Sequence, residues 1–403
     1  MQKASPEVRL RYTLLQLRKI VNFAQQNIPF YQRLYGKTPI DFQSINDFEK
    51  LPHITKNDVR AYTKESTGAM RLNTGGSTDG PLNFYIDKNA WAREWAHMHF
   101  IWALRGYKHS DLMITMLGKP IGNQAFRYNP VHNEFLLNPY VDAGKHIEIL
   151  LPFFKKYPFK YFQGYPSTIY NFLKEIEPFI SSTEKELISQ KIRSLFFSSE
   201  YPMPYMLDYI KDNWNITDYI SWYGHSEMCI LAYDEFSKGE YRPFVTYGYA
   251  EEAGGMLLGT SFHNYDMPLI RYSTEDLVVA DKNEYGIVEK FRIERGRSGD
   301  FIEDINGRMF ALTFFLGRHH RIYDYADFVQ VYQPERGKII YYITFKRSTP
   351  ISKQSVSEYF DFPNIVMSFD YVFLKEPIRT QRGKLKLKLS EQDILSISTP
   401  VKD

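Results

Sequence analysis

Residues 73–81 read NTGGSTDGP, and the reading of the chain turns on what this loop can hold. Gly75 and Gly80 are separated by four residues, as in a P-loop. The next position, where a Walker lysine must reach the β- and γ-phosphates, is Pro81. A Walker NTPase is thereby rejected. The loop still suits a phosphate, because glycines let backbone N–H groups approach an anion and Thr74, Ser77 and Thr78 add three hydroxyl donors within five residues. A flexible surface turn is the competing reading, so the flanking sequence has to break the tie.

Both flanks read as helices. Before the loop, Leu10, Leu14, Leu17, Val21 and Ala24 recur at three- and four-residue steps over residues 7–27, one face of an amphipathic helix that ends before Pro29. After it, Trp91, Trp95, Met98 and Trp102 share a stripe that begins past Asn89 and stops at Gly106, and the stripe reads as core. Short apolar runs at 111–118 and 194–199 read as buried strands and alternate with helical stretches such as 167–180, the pattern of an α/β domain. After about residue 245 the chain turns to strands and tight turns. Asn306-Gly307 reads as a hairpin turn, and GKIIYYITFK, SKQSVSEYF and FDYVFL beyond it make a small α+β unit. The expected boundary lies near 297–303, giving a large domain at 1–299 and a small one at 300–403.

Composition narrows the function. The 403 residues are 43% hydrophobic and 24% charged, so the chain folds. Fifty basic against 47 acidic residues leave a net +3, interspersed rather than clustered, which disfavours a nucleic-acid partner. One cysteine, Cys229, excludes an intrachain disulfide framework and multi-cysteine metal sites. Cys229 with His225 and His263 supplies zinc-type ligands, but no CxxC pair or fourth ligand accompanies them. No signal-peptide h-region opens the chain and no run of 18 apolar residues spans a membrane, so the expected location is cytoplasmic. No GxSxG elbow or HExxH motif occurs.

TGGSTDGPL at 74–82 resembles the phosphate loop of the adenylate-forming (AMP-forming) ligase superfamily, with Asp79 where that loop usually has Gly and Gly80 where many members carry Lys. Further motifs follow in the family's order. FSSE (197–200) resembles the strand end along adenine, which places Ser199 and Glu200 there. YGHSE (223–227) is similar to YGxTE, which implies that Tyr223 stacks on adenine, that Gly224, His225 and Ser226 lie beside the nucleotide, and that Glu227 with Thr78 holds Mg²⁺. MPLIRYSTEDL (267–277) resembles the segment whose aspartate, here Asp276, receives the ribose hydroxyls. GRSGDFI (296–302) resembles the GRxDDxI hinge: Arg297 is in place, Gly299 stands at the usual acidic position and Asp300 follows. IRTQRGKLKLKL (378–389) resembles the PRTxxGK loop and makes Lys384 the mobile catalytic lysine. The opening segments FAQQNIPFYQRLY (23–35) and FEKLPHITKNDVR (48–60), with GYPSTIYNF (164–172), look like the phenylacetate-CoA ligase branch and its capsular-polysaccharide relatives.

The resemblance implies an α/β fold: a large N-terminal adenylate-forming domain with mixed sheets and a β-rich portion, plus a small mobile α+β C-terminal domain. It also implies an ATP- and Mg²⁺-dependent enzyme that adenylates a small carboxylate and passes the acyl group to an amine or hydroxyl, with coenzyme A as the alternative acceptor. The residue types suit that chemistry, since adenylation needs donors for a polyanion and a cation between two anions. Residues 74–78 (Thr74, Gly75, Gly76, Ser77 and Thr78) would grip the phosphates, Arg297 would join them, and Lys384 would bridge carboxylate and α-phosphate. Tyr165, Ser167 and Trp95 are the expected walls of the acyl pocket. Three readings concern neighbouring residues. His225 is either a donor that orients a carboxylate or a neutral ring packed beside the nucleotide. Lys386 and Lys388 follow the period-two pattern of a half-buried strand and read as solvated. Arg318, His319, His320 and Arg321 form a basic cluster, read as a solvated loop ahead of an acceptor-phosphate site. A non-catalytic nucleotide-binding scaffold is the reading from another class, favoured by Asp79 and Gly299.

Overall fold

Ser5 accepts a hydrogen bond from the Val8 N–H and Pro6 occupies the first helical turn, so the chain enters a helix at once, Pro6–Asn27. That helix buries Leu14, Leu17, Ile20, Val21 and Ala24, the face expected from the spacing. The computed structural model describes residues 1–403 except 37, 39, 65, 74–81, 118–120, 122–123, 140, 296–300, 316–321, 323–324, 346–352, 361, 363–364, 379–386 and 396–403. The described residues gather into two compact units, one from 1–74, 82–108 and 219–298, the other from 109–218 and 299–403.

In the first unit the N-terminal helix packs on a four-stranded antiparallel meander, Gly248–Ala253, Met256–Ser261, Tyr272–Lys282 and Val288–Arg295. Gly254 and Gly255 make its first turn with φ of 60° and 82°, the pair of positive values that a two-residue hairpin requires. Strands Tyr219–Gly224, Leu231–Asp234 and Arg242–Pro243 form a second antiparallel run. The Ala90–Ala103 helix buries Met98 and Trp102 as expected of core, whereas Trp91 is 45% exposed, so the aromatic stripe is only partly core.

The second unit holds the α/β alternation. Ser194–Phe197, Tyr161–Gly164, Met113–Met116 and Glu134–Leu137 run parallel in that spatial order, with Phe126–Asn129 antiparallel at the end. The first three of these strands are buried along their whole length, as parallel strands covered on both faces must be. The helical stretch read over 167–180 is the helix Pro166–Ile176 followed by a 3₁₀ turn at Glu177–Phe179. A separate four-stranded sheet orders Ser368–Leu374, Lys338–Phe345, Ala326–Glu335 and Lys388–Leu389, over a core that includes Val331, Ile339, Tyr341 and Phe360.

The hairpin read at Asn306-Gly307 is present: Phe301–Glu303 pairs with Met309–Ala311 and closes through 304–308, where Asp304 Oδ1 accepts the N–H groups of Asn306 and Arg308. One local reading changes. Lys388 is not simply solvated, because its half-buried Nζ donates to the Phe301 carbonyl at 2.6 Å and ties the last strand to that hairpin. The hairpin is itself docked on the Pro166–Ile176 helix by the Arg308–Glu175 ion pair at 2.6 Å and by Asn171, which donates to the Met309 carbonyl.

Candidate active site

The strand Tyr219–Gly224 pairs with Leu231–Asp234 in the register Tyr223↔Ala232, which fixes where Tyr223 points. Beyond Gly224 the chain reverses: the Met228 N–H donates to the His225 carbonyl at 3.0 Å and Met228 takes a φ of 54°. That turn carries Glu227 inward, where it is 6% exposed. Its Oε1 accepts the Tyr272 hydroxyl at 2.7 Å, and its Oε2 faces His225 Nδ1 at 3.2 Å. Burial pushes the Glu227 carboxyl up, but the hydrogen bonds from His225 and Tyr272 outweigh it and hold the group at about 2. Glu227 is therefore a buried, ionised carboxylate at neutral pH. His225 Nδ1 thus lies within hydrogen-bond distance of the Glu227 carboxylate.

Asp276 reaches the same unit through a strand irregularity. Between the pairs Met256↔Leu277 and Leu258↔Ser273 the register shifts, and Glu275 takes a φ of 66°. Such a bulge re-aims the side chain beside it. The bulge is pinned by its neighbours: Glu275 pairs with the buried Lys56 at 2.5 Å, and the Thr274 hydroxyl donates to the Leu257 carbonyl at 2.9 Å while accepting the Asp276 N–H at 3.2 Å. Asp276 Oδ2 then accepts the Tyr223 hydroxyl at 2.6 Å. The half-buried Tyr223 ring meets Phe291 edge-on at 5.3 Å. Thus Tyr223, Gly224, His225, Ser226, Glu227 and Asp276 share one unit. Their spacing in the sequence did not single out Tyr272, the hydroxyl that completes the Glu227 cage, although it lies four residues before Asp276.

The second unit brings together Tyr165, Ser167, Ser199 and Glu200. Gly164 ends its strand where a Cβ would stand 2.6 Å from the Met116 carbonyl, so only glycine fits. Tyr165 then caps the Pro166–Ile176 helix by position, without a side-chain bond. Ser199, with a φ of 63°, turns Glu200 toward that helix, and Glu200 Oε2 accepts the Ser167 N–H at 3.2 Å. Burial raises the Glu200 carboxyl to about 7, against the opposing pull of Ser167. Trp95 belongs to the first unit, half-buried and edge-on to Trp102 at 5.8 Å. Thr74, Gly75, Gly76, Ser77, Thr78, Arg297, Gly299, Asp300, Lys384 and the cluster 318–321 lie outside the described residues.

The zinc-type trio is otherwise engaged. His225 Nδ1 faces Glu227, His263 Nε2 contacts the Thr246 carbonyl at 2.8 Å, and Cys229 is buried with its thiol pushed up by burial. Among the described residues no group of three or more His, Cys, Asp or Glu is placed to hold a metal ion. No helix among them is long and apolar enough to cross a membrane.

The architecture is that of the AMP-forming CoA ligases. The crystal structure of 2-hydroxyisobutyryl-CoA ligase in the thioesterification state, in complex with 2-HIB-AMP and CoA, matches 97% of this chain and 93% of its own with a TM-score of 0.57 at 15% identity. The same enzyme in the postadenylation state, in complex with R3-HIB-AMP, matches 97% of this chain and 91% of its own with a TM-score of 0.56 at 15% identity. Among curated proteins, Protein CapK of Staphylococcus aureus is 25% identical over 305 residues. That match takes in 70% of this chain and 66% of CapK, slightly less than two thirds of the relative's length. No family model matches the chain.

Proposed function

We propose that this chain is an ATP-dependent, AMP-forming ligase that adenylates a small carboxylate and transfers the acyl group to an amine or hydroxyl acceptor in surface-polysaccharide synthesis. One observation carries the reading: a single unit holds an aromatic ring tied to a carboxylate, Tyr223 to Asp276, together with the buried, ionised Glu227. An aromatic face and a bidentate acceptor are what adenosine offers partners for, and a fixed anion is what a phosphate-bound cation needs. The fold of the CoA ligases and the likeness to CapK support the reading.

Each group has a defined task. Asp276 would receive the ribose diol, Tyr223 would cover adenine, and the 74–78 loop with Arg297 would bind the phosphates. Glu227 fits a magnesium ion because each of its oxygens keeps a lone pair beyond the one directed at Tyr272 or His225. With Thr78 it would hold Mg²⁺, which when bound supplies charge neutralisation to the triphosphate. Lys384, on a small C-terminal domain 300–403 that would turn about Gly299 and Asp300, would bridge carboxylate and α-phosphate. Tyr165, Ser167 and Trp95 would wall the acyl site, and a cytoplasmic location would supply ATP. Coenzyme A as the acceptor is the second reading, favoured by the CoA in the matched ligase complexes.

The test is carboxylate-dependent pyrophosphate release with hydroxylamine as trapping acceptor, followed by AMP release with amino sugars, nucleotide sugars or coenzyme A. Release of pyrophosphate with hydroxamate as product supports the ligase. No release from a broad carboxylate panel, with AMP still bound, favours the non-catalytic nucleotide-binding scaffold. Thioester formation at an ordinary turnover of about 1 to 10³ per second with coenzyme A alone replaces the amine or hydroxyl acceptor.

A further inference from the structure

In the segment FEKLPHITKNDVR (48–60), Lys56 sits against the rules of its own helix. Thr55 caps the helix Lys56–Lys64, its N–H and hydroxyl donating to Asp58 Oδ2 at 2.8 and 2.6 Å. Lys56 is therefore the first helical residue, where a cation opposes the helix dipole, and it is only 5% exposed. A buried lysine at a helix N-terminus costs stability on both counts, so the reason for it lies outside the helix. The partner is in the strand that carries Asp276: Lys56 Nζ meets Glu275 Oε2 at 2.5 Å.

The backbone of that strand is left-handed at two residues that are not glycine, Arg271 with a φ of 49° and Glu275 with a φ of 66°. Such conformations persist only where the surroundings over-determine them. Here each is held through its own side chain. Arg271 Nε donates to Glu251 Oε2 at 2.9 Å, and the guanidinium also donates to the Leu51 carbonyl. Glu275 is held by Lys56. Between these two points the Ile54 N–H donates to the Arg271 carbonyl at 3.0 Å, and the Ile54 carbonyl accepts the Ser273 N–H at 2.9 Å. The chain at 51–56 thus braces the strand on both sides of Tyr272, whose hydroxyl goes to Glu227, and as far as the residue before Asp276.

The ladder does not itself aim Asp276, because Thr274, Glu275 and Asp276 together stand opposite Leu257 alone. If Glu275 relaxed to the extended φ of an ordinary antiparallel strand, about −140°, the chain leading into Asp276 would swing and its carboxylate would leave the Tyr223 hydroxyl. We infer that Lys56 is a positioning residue for ribose recognition: by holding Glu275 in the left-handed region, it aims the Asp276 carboxylate at the ribose diol. The inference rests on the ribose role proposed for Asp276. Lys56 acts through Glu275 and the bulge, so its loss is felt where the diol binds.

Calorimetry with AMP and with its 2′,3′-dideoxy analogue tests this. The wild type is expected to prefer AMP by about 10-fold or more, the value of one hydrogen bond to a charged group. Lys56→Met keeps an unbranched apolar stem and removes the charge. It is expected to raise the Kd for AMP by about 10-fold and to leave that of the analogue within about twofold, so that the preference nearly vanishes. Lys56→Met/Glu275→Gln leaves no unpaired charge behind, is expected to fold as judged by thermal melting, and should lose the preference in the same way. Lys56→Met/Asp276→Ala is expected to bind AMP no more weakly than Asp276→Ala alone, because both changes remove one interaction. A folded variant that keeps the wild-type preference, or that weakens both nucleotides alike, shows a merely structural lysine and overturns the inference while the ribose role of Asp276 stands. Additive losses in Lys56→Met/Asp276→Ala overturn it as well. A wild type that binds both nucleotides equally removes the ribose role, and this inference with it.

Discussion

Replacing Asp276 with Ala removes a carboxylate whose surroundings are held by other residues. The bulge that presents it is fixed by the Lys56–Glu275 pair at 2.5 Å and by the Thr274 hydroxyl on the Leu257 carbonyl at 2.9 Å. Neither contact involves the Asp276 side chain, and the half-buried Tyr223 hydroxyl can turn to water, so the fold survives. What is lost is the acceptor for two ribose hydroxyls. Hydrogen bonds to a charged group are worth about 1.5 to 3 kcal/mol, which at 1.4 kcal/mol per decade is about 10- to 150-fold in Kd for AMP. The figure is that of one such bond; Oδ2 also receives Tyr223 at 2.6 Å. Calorimetry with AMP and with its 2′,3′-dideoxy analogue completes the cycle. The wild type is expected to lose affinity when the diol is removed, and Asp276→Ala is expected to bind both nucleotides alike. If the variant bound AMP as tightly as the wild type, or remained equally sensitive to loss of the diol, Asp276 would not be the ribose acceptor.

Lys384→Ala should lower adenylate formation by about 10²- to 10³-fold, the cost of one preorganised transition-state donor, while AMP binding persists; pyrophosphate release within a few-fold of wild type would refute it. Glu200 has a carboxyl raised to about 7, above its ordinary 4.5. Its protonated form is favoured by folding, so that stability is fully present below about pH 4.5 and is lost as pH rises through about 7. Glu200→Gln should therefore narrow the Tm difference between pH 5 and pH 8, by about 2 °C if about 1 kcal/mol is recovered; an unchanged difference would place the titration elsewhere. Gly248→Ala would drive a Cβ into the Cys229 carbonyl within the first unit. A loss of about 2 to 3 kcal/mol is expected from overpacking against backbone, read by urea denaturation, and a variant as stable as the wild type would show that the strand can shift.

Local pattern was enough for the elements and for the order of the motifs. The helix Pro6–Asn27 follows from apolar spacing and a Ser-Pro start, and the buried strands Ser194–Phe197 and Met113–Met116 from short apolar runs. Tyr223, Glu227 and Asp276 were identifiable because each sits in a short motif with a distinctive neighbourhood. Their bonding was not in the pattern. Tyr223 and Asp276 are 53 residues apart, Tyr272 and Glu227 are 45 apart, and Ser167 and Glu200 are 33 apart. Those pairs are made by sheet register, by one bulge and by one tight turn, and a one-residue slip would send each side chain to the opposite face. The same reason applies to Lys388, whose period-two position reads as solvent-facing until the Phe301–Glu303 strand arrives beside it. It applies equally to His225, whose contact with Glu227 is made by the turn at 225–228. Periodicity reports which face of its own element a residue occupies. Which partner waits on that face is decided by the burial and pairing of segments distant in the chain.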